Sequence, residues 1–488
     1  MSDQPIDGRT RGDGRLELST GEMRALGYRV VDFLVERSAS HGEKPVAGWA
    51  DRATLERALA EPPPEDPRPV AEVLARLERE VLARTMDVAH PRFFGFVPSP
   101  GNFVSAMADA LAAGWNPFVG TWFAGAGPAE VELVTIDWLR QLCGLPEEAG
   151  GLLVSGGSAA NLTALHAARH AVLGGPDPRA IVYFSDQTHS AVERALAVLG
   201  FAPDQARKLP ADDAFRLSPE RLGAAIAADR AAGRRPFLVV ANAGTTSTGA
   251  VDPLAALADL CRDEGLWLHA DGAYGAPAVL SARGRALLAG LDRVDSLALD
   301  PHKWLFQPFE IGCVLVRDRR LLHDAFTIHP DYLQDVHRYL EAVNFCDYGI
   351  QLSRSFRALK LWMSLQVFGI AEFRRAIDRG FDLAERAEAL LAARPCWEIV
   401  TPAAMAIVTF RYTAPGLSPA ALEGVNLGIV DALRADGFAV ITSTRLGGRT
   451  ALRLCTINPR TTDDDLAGTI ERLERLGGEL AATETRGA

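Results

Sequence analysis

Four short stretches of the chain place reactive residue types directly after apolar runs. Ser155-Gly156-Gly157-Ser158-Ala159-Ala160-Asn161 follows the run 151–154 and opens a segment of helical period. Glycines let a backbone approach a ligand closely, and a helix N-terminus offers free N–H groups and partial positive charge to an anion such as a phosphate. The stretch has neither GxGxxG nor the lysine of a P-loop, so a plain turn capped by Ser158 is the competing reading. Ser185-Asp186-Gln187-Thr188-His189-Ser190 follows the run 180–184 and puts His189 at a helix start. Taken alone it is an ordinary exposed histidine. Asp271 ends the run Leu266-Trp267-Leu268-His269-Ala270. Its carboxylate therefore sits at the rim of a dry interior and needs a cationic or donor partner. A protonated pyridine nitrogen would serve, and the pair would keep that nitrogen protonated. Lys303, in Asp300-Pro301-His302-Lys303-Trp304, follows the run 296–299. A lysine so placed suits an amine of lowered pKa that condenses with an aldehyde. Singly, these two residues read as an ion-paired carboxylate and a snorkelling lysine.

Together the four stretches say more. A phosphate cradle, a ring that can stack, a buried carboxylate and a lysine are the contacts that pyridoxal 5′-phosphate needs. A nicotinamide site would need no lysine there.

The elements that must position them follow from the pattern. The runs 151–154, 180–184, 237–241, 266–270, 296–299 and 313–316 are short, almost continuously apolar and separated by helical stretches or turns. Strands buried on both faces look like this, and open α/β sheets bind ligands at their strands' carboxyl ends. A helix over 356–368 closes this region. Beyond it, strands over 397–400, 406–412, 438–442 and 451–457 alternate with helices over 419–435 and 462–476. At the other end, Ser19 and Glu22 have capping-box spacing, and Met23, Leu26, Val30 and Leu34 recur at helical period. The proline-rich stretch Glu61-Pro62-Pro63-Pro64-Glu65-Asp66-Pro67 reads as an extended connector before a second helix over 71–84. The expected division is an N-terminal helical segment, 1–102, a large sheet domain, 103–357, and a smaller α/β domain, 358–488. The N-terminal helices cannot bury their apolar faces alone, so a second subunit is expected to cover them.

Composition narrows the class. The chain has 488 residues, 48% of them hydrophobic and 23% charged, enough for a multidomain core. A net charge of -11 argues against sequence-independent nucleic-acid binding and against docking on anionic lipid. Six cysteines without a CxxC pair argue against a zinc site or a disulfide scaffold, and no metal is expected. No apolar run reaches membrane-spanning length, and residues 1–15 lack the apolar core of a signal peptide, so a cytoplasmic enzyme is expected.

These residues, with His90-Pro91-Arg92-Phe93-Phe94-Gly95 and His269-Ala270-Asp271-Gly272-Ala273-Tyr274, resemble the group II pyridoxal-dependent decarboxylases, the aromatic-L-amino-acid decarboxylase family. The resemblance runs from about residue 20 to the C-terminus. It implies fold type I, the aspartate-aminotransferase-like fold, and a homodimer with shared active sites. It also implies decarboxylation of an L-amino acid to an amine and carbon dioxide. Lys303 then matches the Schiff-base lysine and Asp271 the partner of the ring nitrogen. His189 matches the ring-stacking histidine, and Ala273 the small residue on the opposite face. Gly157 and Ser158 match the phosphate turn, with Thr246 and His302 beside the cofactor. The implied substrate contacts are Phe96, Pro98, Ser99, Trp115, Phe118 and Ser353, the stretch 115–122 completing the partner's pocket. Tyr332 matches the tyrosine of a closing loop that returns a proton, where aldehyde synthases have phenylalanine. Ser353 leans towards tyrosine, DOPA or phenylalanine over tryptophan. Asp300 departs from the asparagine of animal enzymes, which puts a phosphate role for it in doubt.

Two other readings share the fold. An aminotransferase could use Arg453 to grip a carboxylate, and an oxidative aldehyde synthase would divert the product. A non-enzymatic binding protein would need neither Asp271 nor Lys303.

Overall fold

The computed structural model describes residues 16–328 and 342–487. They fall into two units, Gly95–Pro415 with Thr442–Pro459, and Met1–Phe94 with Gly416–Ile441 and Arg460–Ala488.

The first unit carries a seven-stranded sheet made of β1 (Gly150–Val154), β2 (Ala180–Ser185), β3 (Ala206–Leu209), β4 (Arg235–Asn242), β5 (Trp267–Asp271), β6 (Ser296–Leu299) and β7 (Gly312–Val316). Their order is β1-β7-β6-β5-β4-β2-β3, and only β7 runs antiparallel to its neighbours. All six expected strands are present, because burial on both faces selects unbroken apolar runs. β3 is the addition. Its residues Arg207 and Lys208 sit on a partly exposed sheet edge, so it carries no apolar run to read.

A four-stranded antiparallel sheet completes this unit, in the order β10-β11-β9-β8: β8 (Trp397–Ala404), β9 (Ile407–Tyr412), β10 (Thr442–Leu446) and β11 (Arg449–Cys455). Residues 438–441, expected as strand, are not one; the strand starts at Thr442 and alternates polar residues. The helix expected over 356–368 runs instead as Ala358–Ala392. It passes Gly369, whose φ of 71° and ψ of 152° kink it without ending it. Glycine takes a positive φ freely, so the kink carries no Cβ penalty.

The second unit is largely helical. Thr20–Ala39 starts at a full Ser19/Glu22 capping box, and none of its 20 residues is buried within one chain. Helix Arg52–Leu59 was not expected from the sequence. The second expected helix is Val70–Arg76, continued by looser turns through Arg84. Helices Pro419–Asp436 and Asp463–Gly487 also belong to this unit. Phe93 and Phe94 of the His-Pro-Arg-Phe-Phe-Gly motif are buried here. Arg92 bonds Asp465 at 3.0 Å and the Phe438 carbonyl at 2.8 Å, so the motif is a structural tie. Among the described residues no helix is long and apolar enough to cross a membrane.

Candidate active site

The carboxyl ends of β1, β2, β4, β5 and β6 converge on a cavity of about 470 Å³. One end is the turn after β1. Helix Gly157–Leu173 starts there, and no side chain caps its first N–H groups. A Cβ on Gly157 would lie 2.9 Å from both Ala273 Cβ and Asp300 Oδ2. No side chain fits there, and a ligand can approach the backbone closely. Ser158 follows, exposed, in the same first turn.

The cavity wall also holds Asp271, buried at the tip of β5. Its Oδ2 accepts from Asn161 Nδ2 at 3.2 Å and its Oδ1 from the Ala273 N–H at 3.2 Å. Burial raises its proton affinity, while the charges of Lys303 and His189 work the other way. A carboxylate in this state binds best to a cationic N–H.

Lys303 lines the same cavity. Its Nζ lies 2.9 Å from Asp300 Oδ2, in a carboxylate only 2% exposed. Asp300 Oδ1 is buried with no hydrogen-bond partner. His302 donates from Nδ1 to the Ile311 carbonyl at 2.7 Å, and burial lowers its pKa. Buried Trp304 stacks on Tyr274 at 5.3 Å, which fixes the segment carrying the lysine.

His189 lines the cavity as the cap of helix Ser190–Val198. Its Nδ1 accepts the Ala191 N–H at 3.2 Å, so the ring of a neutral His189 carries its hydrogen on Nε2. The loop bearing it is tied to β4, because Asn242 Nδ2 donates at 3.2 Å to both Ser185 Oγ and Thr188 Oγ1. Asn242 is held in turn by Asp252, whose pKa burial pushes up to about 6. Thr246 and Ala273 complete the wall.

Every cofactor contact expected from the sequence thus lines one cavity. The substrate contacts do not. Ser99 is buried beneath the lysine segment, its Oγ donating to the His302 carbonyl at 2.5 Å. Pro98 is also buried, Phe96 and Trp115 are 62% and 86% exposed, Ser353 is exposed and Phe118 half-buried; none of them lines the cavity. Arg453 is likewise off the cavity wall, its Nη1 donating to the Phe96 carbonyl at 2.5 Å. Tyr332 lies outside the described residues. Asn161, Asn242 and the Asp300–Lys303 pair were not anticipated. Only the fourfold spacing of Asn161 from Gly157 on one helix hints at the first.

The residues fit pyridoxal phosphate on their own geometry. An uncapped helix start and a glycine that tolerates no Cβ suit the phosphate. A buried carboxylate of raised proton affinity suits the ring nitrogen, and an amine lines the same cavity.

Residues 53–413 match the model of the pyridoxal-dependent decarboxylase conserved domain. An aromatic-L-amino-acid decarboxylase of Bacillus atrophaeus is 48% identical over 96% of this chain and 98% of its own length. A phenylacetaldehyde synthase of Arabidopsis thaliana is 31% identical over 93% of this chain and 95% of its own. Among solved structures, Oryza sativa TDC with PLP and tryptamine superposes with a TM-score of 0.91. It is 30% identical and covers 96% of this chain and all of that one.

Proposed function

The chain belongs to the pyridoxal-dependent decarboxylase family and is a pyridoxal-phosphate-dependent amino-acid carboxy-lyase of fold type I, and from that premise we propose that its substrate is an aromatic L-amino acid, released as the amine. The observation that carries the reading is the placement of Asp271, Lys303 and the uncapped start of helix Gly157–Leu173 on the walls of one cavity.

When bound, pyridoxal phosphate supplies an electron sink for the pair left behind as the carboxylate departs. The chain's residues do the rest. Gly157 and Ser158 would hold the cofactor's phosphate, and Asp271 would hold a proton at its ring nitrogen, which sustains that sink. His189 and Ala273 would flank it. Lys303 would hold it through Nζ, and the bound group would supply the carbon that takes the substrate amine. Tyr332 returns a proton to the substrate's α-carbon, which makes amine the product rather than aldehyde.

We read the enzyme as a cytoplasmic homodimer. Helix Thr20–Ala39 exposes Met23, Tyr28, Val30, Val31 and Val35, and a second copy is the natural cover for that apolar face. In that arrangement Trp115, Phe118 and Ser353, which do not line the cavity of their own chain, serve the neighbouring site. The hydroxymethyl of Ser353 takes space that an indole would need, so tyrosine, DOPA and phenylalanine are favoured over tryptophan. Such a small steric change shifts preference by about 1–3 kcal/mol.

The test is a screen of tyrosine, DOPA, phenylalanine, tryptophan, 5-hydroxytryptophan, histidine, glutamate and diaminobutyrate without added keto acid. Carbon dioxide and amine in equal amounts from the phenyl and phenolic substrates are expected. Turnover only with a keto acid would make the protein an aminotransferase. Faster turnover of tryptophan would overturn the substrate preference alone.

A further inference from the structure

Behind the cavity runs a chain of buried hydrogen bonds that ends on Asp271. Trp267 Nε1 donates to Ser296 Oγ at 2.8 Å, and Ser296 Oγ lies 2.8 Å from His269 Nδ1. His269 Nε2 lies 2.7 Å from Asn161 Oδ1. Asn161 Nδ2 reaches Gly157 O at 2.8 Å and Asp271 Oδ2 at 3.2 Å. All of these residues are buried.

The chemistry allows one direction only. Asn161 faces two acceptors, the Gly157 carbonyl and the Asp271 carboxylate, on a single side, so its NH₂ must lie there and its oxygen towards His269. His269 Nε2 must then carry a hydrogen. Burial holds the ring's pKa down at about 3, so it is neutral and its Nδ1 is bare. Ser296 must donate to that bare nitrogen, and its oxygen is left to accept from Trp267, which is a donor only. The indole N–H at one end therefore dictates the orientation of the amide at the other. No atom of the chain could be reversed without burying an unmatched donor or acceptor, which costs about 1–3 kcal/mol.

We propose that Asn161, oriented by His269, is a positioning residue that keeps Asp271 an acceptor and so keeps the shared proton on the cofactor's ring nitrogen. This rests on the reading of the cavity as a pyridoxal phosphate site. An N–H directed at Oδ2 stabilises the charged carboxylate against the burial that favours its protonated form. Without it, the proton between Asp271 and the ring shifts towards the carboxylate. The same amide donates to the Gly157 carbonyl, so one side chain ties the turn after β1 to Asp271.

The experiment loads wild type, Asn161→Leu and Ser296→Ala with pyridoxal phosphate labelled with ¹⁵N in its ring, and records the ring-nitrogen signal of each holoenzyme together with cofactor affinity, kcat and KM. The wild-type nitrogen should show the shift of a protonated pyridine. Asn161→Leu should still bind the cofactor but move that shift towards the unprotonated value. Its kcat should fall about ten- to hundredfold, the worth of one hydrogen bond to a charged group, with KM little changed. Ser296→Ala leaves Asn161 in place but frees the His269 tautomer, and should move the shift in the same direction by less. It keeps the test decisive where Asn161→Leu does not fold. An unchanged ring-nitrogen signal in whichever loaded variants fold would overturn the proposal. Wild-type protein that takes up no pyridoxal phosphate would overturn the cavity reading itself, and the proposal with it.

Discussion

Asp300 Oδ2 lies 2.9 Å from Lys303 Nζ and would lie equally close, 2.9 Å, to a Cβ on Gly157. One carboxylate thus serves as the lysine's counter-ion and stands against the turn proposed to hold the phosphate. Its other oxygen has no hydrogen-bond partner. An anion in an anion's cradle weakens the cradle. Asp300→Asn should therefore bind pyridoxal phosphate about tenfold more tightly, roughly 1.4 kcal/mol. Equilibrium dialysis of apoprotein measures this. Equal or weaker binding would show that the carboxylate does not act on the phosphate.

Asp252 supports the site from a distance. Its Oδ1 accepts the Leu217 N–H at 2.7 Å, and its Oδ2 accepts from the backbone and side chain of Asn242. An asparagine there would turn an N–H against one of these donors. Asp252→Asn should cost about 2–3 kcal/mol of stability and loosen the loop bearing His189. The carboxyl's pKa is about 6 in the folded chain, above the ordinary carboxylate value. Between pH 4 and about 6 the native state thus binds the extra proton, and this group's contribution to stability falls as pH rises through that window. Urea titrations of wild type and variant at both ends check it. A variant as stable as wild type would contradict the assignment.

The legible parts of the molecule were those where burial leaves a one-dimensional trace. Each strand of the large sheet that is covered on both faces announced itself as an apolar run, and the cofactor residues follow those runs because ligands bind at strand ends. β3 and β10 left no such trace, since Arg207, Lys208 and Arg445 can face out from partly exposed strands. The eight-residue helix Arg52–Leu59 buries nothing and so has no apolar stripe to find. Ser99 shows a different limit. The family resemblance implies a substrate contact for it, and no residue pattern announces the bond its hydroxyl makes to the His302 carbonyl. Asn161 and Asp300 act through partners more than a hundred positions away or across a single turn, and no local pattern encodes either.

A buried ion pair ties the residue after Ser353 to Glu132. Arg354 Nη1 lies 3.2 Å from Glu132 Oε2, and its Nη2 donates to the Leu153 carbonyl at 2.7 Å, just before the phosphate turn. Removing one member strands the other charge in a dry interior. Arg354→Met should destabilise the protein by about 3–5 kcal/mol, while adding Glu132→Leu should recover part of the loss. Denaturation midpoints of the single and double variants decide it; a double variant no better than the single would show that packing, not charge, is at stake.

The proposed role of Tyr332 is to fix the product as amine. Tyr332→Phe should bind cofactor and release carbon dioxide at a comparable rate, yet yield aldehyde, ammonia and peroxide while consuming oxygen. Oxygen uptake and amine formation, followed together, measure the partition. Amine made at the wild-type rate by this variant would mean that another group returns the proton.

The most direct test of the central claim is chemical. Holoenzyme treated with borohydride, digested and mapped by mass should carry the reduced cofactor on Lys303, and Lys303→Ala should be colourless and carry none. A label on any other lysine, or a Lys303→Ala protein that keeps full turnover, would contradict the account.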